Sequence, residues 1–277
     1  MNFLNRLSLI LLLLFTFQSC SNKEKETLLI QEDNQEKEMI TAYREGIENL
    51  NNNDEFYAAK KFLEAEILFP QSDWAPRSAL MASYSYYIKD YYPEAIFNLQ
   101  RFINTYPKHS KIDYAHYLLG MCYYEQIENE KKDLQPLLFA KKEFNFLIDN
   151  YPSTDFALDS KFKIGLINEV MASKEMYLGR HYIKKEKWIP AINRFKNILK
   201  EYETTIFAEE AIHRLVEIHY RIGLEGEAKK YASTLGYNYL SSEWYKKSYK
   251  IFNKKYEVKK IKKEKKGIKQ KFKKLFE

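Results

Sequence analysis

Tyr91-Tyr92-Pro93-Glu94-Ala95-Ile96-Phe97-Asn98-Leu99-Gln100-Arg101-Phe102-Ile103-Asn104-Thr105-Tyr106-Pro107 carries a pattern that returns along the chain. A small residue is followed one helical turn later by a large apolar residue, and a break comes eight positions after that. Ala95, Leu99 and Pro107 have counterparts in Ala58, Phe62 and Pro70, in Ala140, Phe144 and Pro152, and in Ala191, Phe195 and Glu203. In the last set the proline is lost, but Glu203 stands in the breaking stretch Glu201-Tyr202-Glu203-Thr204-Thr205. Residues four apart lie on one face of a helix, and proline cannot continue one, so each set reads as the second helix of a hairpin and its end.

A matching first half lies upstream: Leu119-Gly120 with Tyr123, Leu178-Gly179 with Tyr182, and Gly46 and Tyr86 at equivalent positions of the first two sets. A small residue on each helix lets two antiparallel helices approach closely, and the bulky residue fills the gap. This is the tetratricopeptide pattern without its leading Trp, recurring near the expected period of about 34 residues. An ordinary bundle would have no reason to repeat such punctuation. The Gly-to-Ala interval is longer from Gly120 to Ala140, which places a longer loop at Ile127 to Pro136.

The chain has only eight glycines and seven prolines, and its apolar residues recur at three and four positions rather than alternating. The expected fold is therefore all-α, an α-solenoid of about five tetratricopeptide-like hairpins spanning 39–252. Helices are expected at Ile40–Asn51, Glu55–Phe69, Ala75–Lys89, Tyr92–Thr105, Ile112–Glu128, Leu137–Asn150, Phe156–Lys184, Trp188–Glu201, Ile206–Ile222 and Glu225–Leu235. A last one opens at Ser241-Ser242-Glu243, Ser with an acidic residue two positions later, and runs through Trp244, Tyr245, Tyr249 and Phe252.

Ahead of this array, Asn5-Arg6 precedes an apolar run from Leu7 to Phe17, too short to span a bilayer and suited to a secretory signal peptide, 1–19. Phe17-Gln18-Ser19-Cys20 resembles the bacterial lipobox, with Phe17 in place of the usual Leu. That resemblance makes Cys20 the lipidated first residue of the mature chain and, with Ser21 after it, points to the outer membrane. Residues 20–38 are polar and charged and read as a flexible, lipid-anchored tether with a reach of roughly 25 Å. With Cys20 acylated, Cys122 is the one remaining thiol, placed as a small buried residue.

In arrays of this kind, the first helix of each hairpin lines a groove. The outward positions here are Tyr43, Ile47, Arg77, Tyr84, Tyr87, Tyr114, Tyr117, Met121 and Tyr124, a strongly aromatic set suited to an extended or aromatic-bearing peptide. Each tyrosine could equally serve packing between repeats. Arg77 is placed to pair with a peptide carboxylate.

Residues 253–277 hold twelve lysines against three glutamates, so the chain's +7 is a property of this tail, and the rest carries −2. Ile261, Ile268, Phe272 and Leu275 share one helical face opposite the lysines. An amphipathic helix on an anionic membrane, a contact with an acidic partner, and a solvated tail all fit that pattern. Nucleic acid does not, because a signal peptide removes the chain from the cytoplasm. Nothing indicates catalysis or a cofactor: His109, His116, His181, His213 and His219 are scattered without metal-ligand spacing, and no phosphate loop or nucleophile motif is present.

Several local strings resemble the BamD family, lipoproteins of the outer-membrane β-barrel assembly machine. They include Ala42-Tyr43-Arg44-Glu45-Gly46, Tyr57-Ala58-Ala59-Lys60-Lys61-Phe62, Tyr151-Pro152-Ser153-Thr154, Gly179-Arg180-His181-Tyr182, Ala191-Ile192-Asn193-Arg194-Phe195 and Ser242-Glu243-Trp244-Tyr245-Lys246. They span most of the mature chain; Phe17, Glu203 and the lysine tail depart from the family pattern. The resemblance implies a non-catalytic subunit whose amino-terminal hairpins bind targeting segments of unfolded outer-membrane proteins. Its carboxy-terminal hairpins would dock on the periplasmic domains of a BamA-like barrel protein, beside other lipoproteins of the machine. An envelope scaffold that binds peptidoglycan or another periplasmic complex is the competing expectation.

Overall fold

A computed structural model describes residues 23–127 and 132–253, with side chains from residue 34. Cys20, the signal segment 1–19 and the tail beyond residue 253 lie outside the described residues. The described residues form eleven helices and no strand. The contacts group into two compact units, Met1–Ile167 and Asn168–Glu277.

In the first unit, α1 (Lys23–Asn51) pairs with α2 (Glu55–Leu68), α3 (Trp74–Ile88) with α4 (Tyr92–Thr105), and α5 (Ile112–Tyr124) with α6 (Gln135–Asn150). Helix α7 (Asp155–Lys184) has residues in both units. The second unit adds α8 (Trp188–Glu201), α9 (Ala208–Arg221), α10 (Glu225–Asn238) and α11 (Glu243–Phe252).

The repeated residues make the contacts the pattern implies. Ala58, Ala95, Ala140 and Ala191 are fully buried, as are Phe62, Leu99, Phe144 and Phe195. A Cβ on Gly46 would lie 2.7 Å from the Phe62 ring, one on Gly120 2.6 Å from Phe144, and one on Gly179 2.5 Å from Phe195. The glycine of one helix is thus the seat of the phenylalanine of the next. Met39, Ala42 and Ala65 begin the core, Ala59, Leu99, Phe102, Leu118 and Leu119 continue it, and Met176, Phe195, Leu215 and Ile218 centre the second unit.

The punctuation is as regular as the core. Within four hairpins the turn passes through one residue of positive φ: Asn53 at 59°, Asp90 at 61°, Glu186 at 54° and Gly223 at 81°. Gly223 marks the fifth hairpin, α9 with α10. The second helices end at an aromatic residue, and the N–H of Tyr106, Tyr151, Tyr202 and Tyr239 donates to the carbonyl four residues back at 2.8–2.9 Å. Pro107 and Pro152 follow two of these aromatics, where a helix can no longer continue.

Three expectations need correction. Helix α1 starts at Lys23 rather than Ile40, so helical backbone runs through most of the segment read as a tether. Its Lys, Glu, Gln and Leu residues favour a helix without any apolar periodicity to announce it. Helix α5 stops at Tyr124 instead of Glu128, where the Gln126 amide donates to the Cys122 carbonyl at 2.7 Å. The inserted loop follows, before α6. Helix α10 runs on to Asn238. Cys122 is fully buried, and burial pushes its thiol up to about 12, which suits a packing role.

In the second unit, Glu210, which is buried, receives Arg180 from α7 and Arg214 from its own helix. Arg214 also donates to Glu217 at 2.7 Å, and buried His213 lies 3.5 Å from Glu217 through Nε2 and 2.8 Å from Ser248 Oγ through Nδ1. Burial pushes the Glu217 carboxyl up, but hydrogen bonds and charge from His213 and Arg214 outweigh it and hold its pKa at about 2. A carboxyl depressed below its unfolded value near 4.5 stabilises the fold above that pH and loses the contribution as pH falls toward 2. Partial exposure of Glu217 limits the effect to about 1 kcal/mol. Acid titration of Glu217→Gln, followed by circular dichroism, should therefore show a shallower loss of stability between those pH values than the parent; parallel curves would contradict the pairing.

Candidate functional site

Helices α1, α3 and α5 bring their outward residues around one open pocket of about 470 Å³ in the first unit. Tyr43 comes from α1, Arg77, Leu80, Met81 and Tyr84 from α3, Tyr114 from α5, and His109, Ser110 and Lys111 from the turn between α4 and α5. The aromatic wall is itself braced. Tyr43 meets Phe62 and Trp74 edge-on, with ring centroids 5.2 and 5.0 Å away, and the Arg77 guanidinium lies 5.3 Å from the centre of the Trp74 ring.

Electrostatically the pocket is apolar in body and cationic at its edge. Arg77 and Lys111 line it and no acidic residue does. Burial, then the charges of Arg77 and Lys111, depress the His109 pKa, so the ring is neutral at neutral pH. Its Nδ1 accepts the Lys111 backbone N–H at 3.2 Å, which leaves the proton on Nε2 as a donor. Burial pushes the Tyr114 phenol up to about 12, and the Tyr43 phenol is raised by burial against the opposing effect of Arg77. Both hydroxyls stay protonated and able to donate. Such a set can hold apolar or aromatic side chains and an anionic group beside them.

Of the nine residues singled out from the sequence, Tyr43, Arg77, Tyr84 and Tyr114 share this pocket. The others are taken up by packing to different degrees. Ile47 packs on the Ala58–Phe62–Ala82 cluster, and Tyr87 stands 6.2 Å from Tyr92, ring to ring. Tyr117 donates its hydroxyl to Asp159 at 2.7 Å and stacks on Phe156 with centroids 5.0 Å apart. Met121 is only 7% exposed, and Lys163 Nζ lies 4.8 Å from the centre of the Tyr124 ring. Leu80, Met81, His109, Ser110 and Lys111 escaped the sequence reading. For the last three, the one available signal was the polar run Lys108-His109-Ser110-Lys111 directly after Pro107.

A second cavity, of about 440 Å³ within the second unit, lies over the Arg194–Glu175 ion pair, closed at 3.1 Å, and is edged by Tyr182, Asn193 and Asn197. Among the described residues no group of His, Cys, Asp and Glu could hold a metal ion, and no helix is long and apolar enough to cross a membrane.

The described residues thus form a solenoid of tetratricopeptide-like helical hairpins, with an aromatic, cation-edged pocket in its first unit. Comparison with known sequences goes further. The family model YfiO, described as outer membrane lipoprotein, matches residues 35–235, and the chain belongs to that family. The chain is 39% identical to outer membrane protein assembly factor BamD of Rickettsia prowazekii, over 77% of its own length and 85% of that protein. It is 36% identical to the Caulobacter vibrioides protein of the same name, over 84% of its own length and 76% of that one. A solved thermophilic TPR protein of Thermus thermophilus aligns with a TM-score of 0.36 at 15% identity, covering 77% of this chain and 98% of its own.

Proposed function

We propose that this chain is a non-catalytic subunit of the outer-membrane β-barrel assembly machinery, held at the periplasmic face of the outer membrane by an acylated Cys20. In this reading the pocket of the first unit takes a targeting segment of an unfolded outer-membrane protein. The second unit docks on the periplasmic domains of a BamA-like barrel protein, next to other lipoproteins of the machine. The observation that carries the reading is the pocket itself: tyrosines from α1, α3 and α5 surround an apolar space whose charged edge is wholly cationic. Tyrosine buries a large area at low entropic cost, and an arginine at the rim selects for a carboxylate. Membership of the YfiO family, and relatives named as assembly factors, support the same conclusion.

A fluorescent peptide copying the last residues of an outer-membrane barrel protein tests it. Arg77→Gln with Tyr84→Ala should weaken binding roughly tenfold or more, since residues of these types dominate such contacts. The fold should survive, because Arg77 is exposed and Tyr84 half-buried. Tyr117 is the poorer choice for substitution, because it is tied to Asp159. Unchanged peptide affinity in the double variant would remove the pocket from substrate binding.

A further inference from the structure

The end of α10 and the turn that joins it to α11 leave two large apolar side chains uncovered: Tyr237 is 92% exposed and Leu240 69%. The local structure forces them out. Leu235 is fully buried, and the space beside Gly236 is filled by the Tyr245 ring, 2.9 Å from where a Cβ would stand. The Tyr239 N–H caps α10 on the Leu235 carbonyl at 2.9 Å, and Ser242 Oγ accepts the Tyr245 N–H at 3.0 Å to start α11. With the turn held from both sides, Tyr237 and Leu240 face solvent.

The charge around this turn is mainly positive. On helix α11, Lys246 pairs with Glu243 at 2.6 Å, which leaves Lys247 and Lys250 as its net positive charges. From residue 237 to the last residue of the sequence there are fifteen lysines and four glutamates. Ile206, 78% exposed in the same unit, instead stands between Glu203 and Glu209. A tyrosine and a leucine projecting among lysines match the layered chemistry of a bilayer surface, with apolar chains below, amphipathic rings at the boundary and anionic headgroups above.

We propose that the junction of α10 and α11 is a membrane-contact site, with Tyr237 and Leu240 entering the interface of an anionic phospholipid bilayer and Lys247 and Lys250 resting on its headgroups. The occupant is a lipid surface rather than a protein groove because the two apolar side chains stand almost fully in solvent and the net charge near them is positive. The site stands on residues 237–250 and does not depend on acylation of Cys20 or on the pocket of the first unit.

The test uses the mature full chain carrying Cys20→Ser, so that no acyl chain contributes, sedimented with phosphatidylcholine vesicles with and without phosphatidylglycerol. Binding should require phosphatidylglycerol and weaken with salt. Tyr237→Ser with Leu240→Ser should reduce partitioning about tenfold, whereas Ile206→Ser should leave it unchanged. Removing 254–277 should weaken binding yet leave what remains sensitive to the Tyr237 and Leu240 substitutions. Parent-like binding by the Tyr237→Ser, Leu240→Ser chain, equal binding to both vesicles, or no binding at all would overturn the proposal. Circular dichroism of both variants should match the parent, since neither exposed side chain supports the core.

Discussion

Gly179→Ala should destabilise the second unit by about 2 kcal/mol, the reverse of what this substitution does in an ordinary helix. Glycine within a helix is normally the weaker choice by about 1 kcal/mol. Here the added Cβ would stand 2.5 Å from Phe195 Cε1 and 2.6 Å from Cζ, and Phe195 is fully buried with nowhere to swing. Overpacking of this kind typically costs about 1–3 kcal/mol, which exceeds the propensity gain. Gly165→Ala is the internal control: nothing lies within 4 Å of its Cβ position, so it should stabilise by up to about 1 kcal/mol. Combining Gly179→Ala with Phe195→Leu should recover part of the loss, and the coupling between the two sites should be on the order of 1 kcal/mol. The protein already contains that compensation. In the second hairpin Ser83 occupies the place that Gly46 and Gly179 hold elsewhere, and its partner position is Leu99, not Phe. Thermal unfolding that is unchanged or raised for Gly179→Ala would show that glycine is not needed for the close approach.

That pairing was legible because both partners are written locally, at fixed offsets within one hairpin. The same holds for Pro107 and Pro152, whose missing N–H ends a helix whatever surrounds it. What could not be read depends on partners distant in sequence, or on segments without periodicity. The Tyr117 hydroxyl is claimed by Asp159 from α7, and no spacing rule links the two positions. Met121 sits on the same helix as Tyr114 and Tyr117 but turns into the core, because the packing of α5 decides which tyrosines remain at a surface. His109, Ser110 and Lys111 reach the pocket from a turn between hairpins, a place the repeat pattern treats as punctuation. The early start of α1 escaped for the opposite reason: a charged helix has no apolar stripe to count until Met39 and Ala42 meet Ala65. Tyr43, Arg77, Tyr84 and Tyr114 were thus visible as outward helix positions, and Lys111 with His109 and Ser110 emerged only when the turns were placed in space.

Glu66→Ala should be the costliest single change among the polar residues of the first unit, at about 2–3 kcal/mol. Glu66 is 5% exposed on α2, and its two oxygens accept Arg101 Nη1 and Nη2 from α4 at 2.6 Å each. The Tyr106 hydroxyl donates to the same carboxylate at 3.0 Å. One carboxylate therefore ties together the second helices of two successive hairpins. Removing it strands a half-buried guanidinium and a phenol, and the penalty comes from those unpaired donors more than from the lost attraction. Arg101 keeps about a third of its side chain in solvent, which places the effect at the lower end of that expected for a buried pair. Glu66→Gln should cost less, since the amide oxygen still accepts one bond while its NH₂ faces other donors. Replacing both partners, Glu66→Leu with Arg101→Leu, should recover most of the stability of the single Ala variant, because no charge is left without a partner. If the paired replacement is as unstable as Glu66→Ala in a denaturant titration, the ion pair contributes net attraction beyond satisfying its own buried charges. If Glu66→Ala matches the parent, the apolar cluster that holds Ala59, Leu63 and Leu99 keeps α2 and α4 in place without the ion pair.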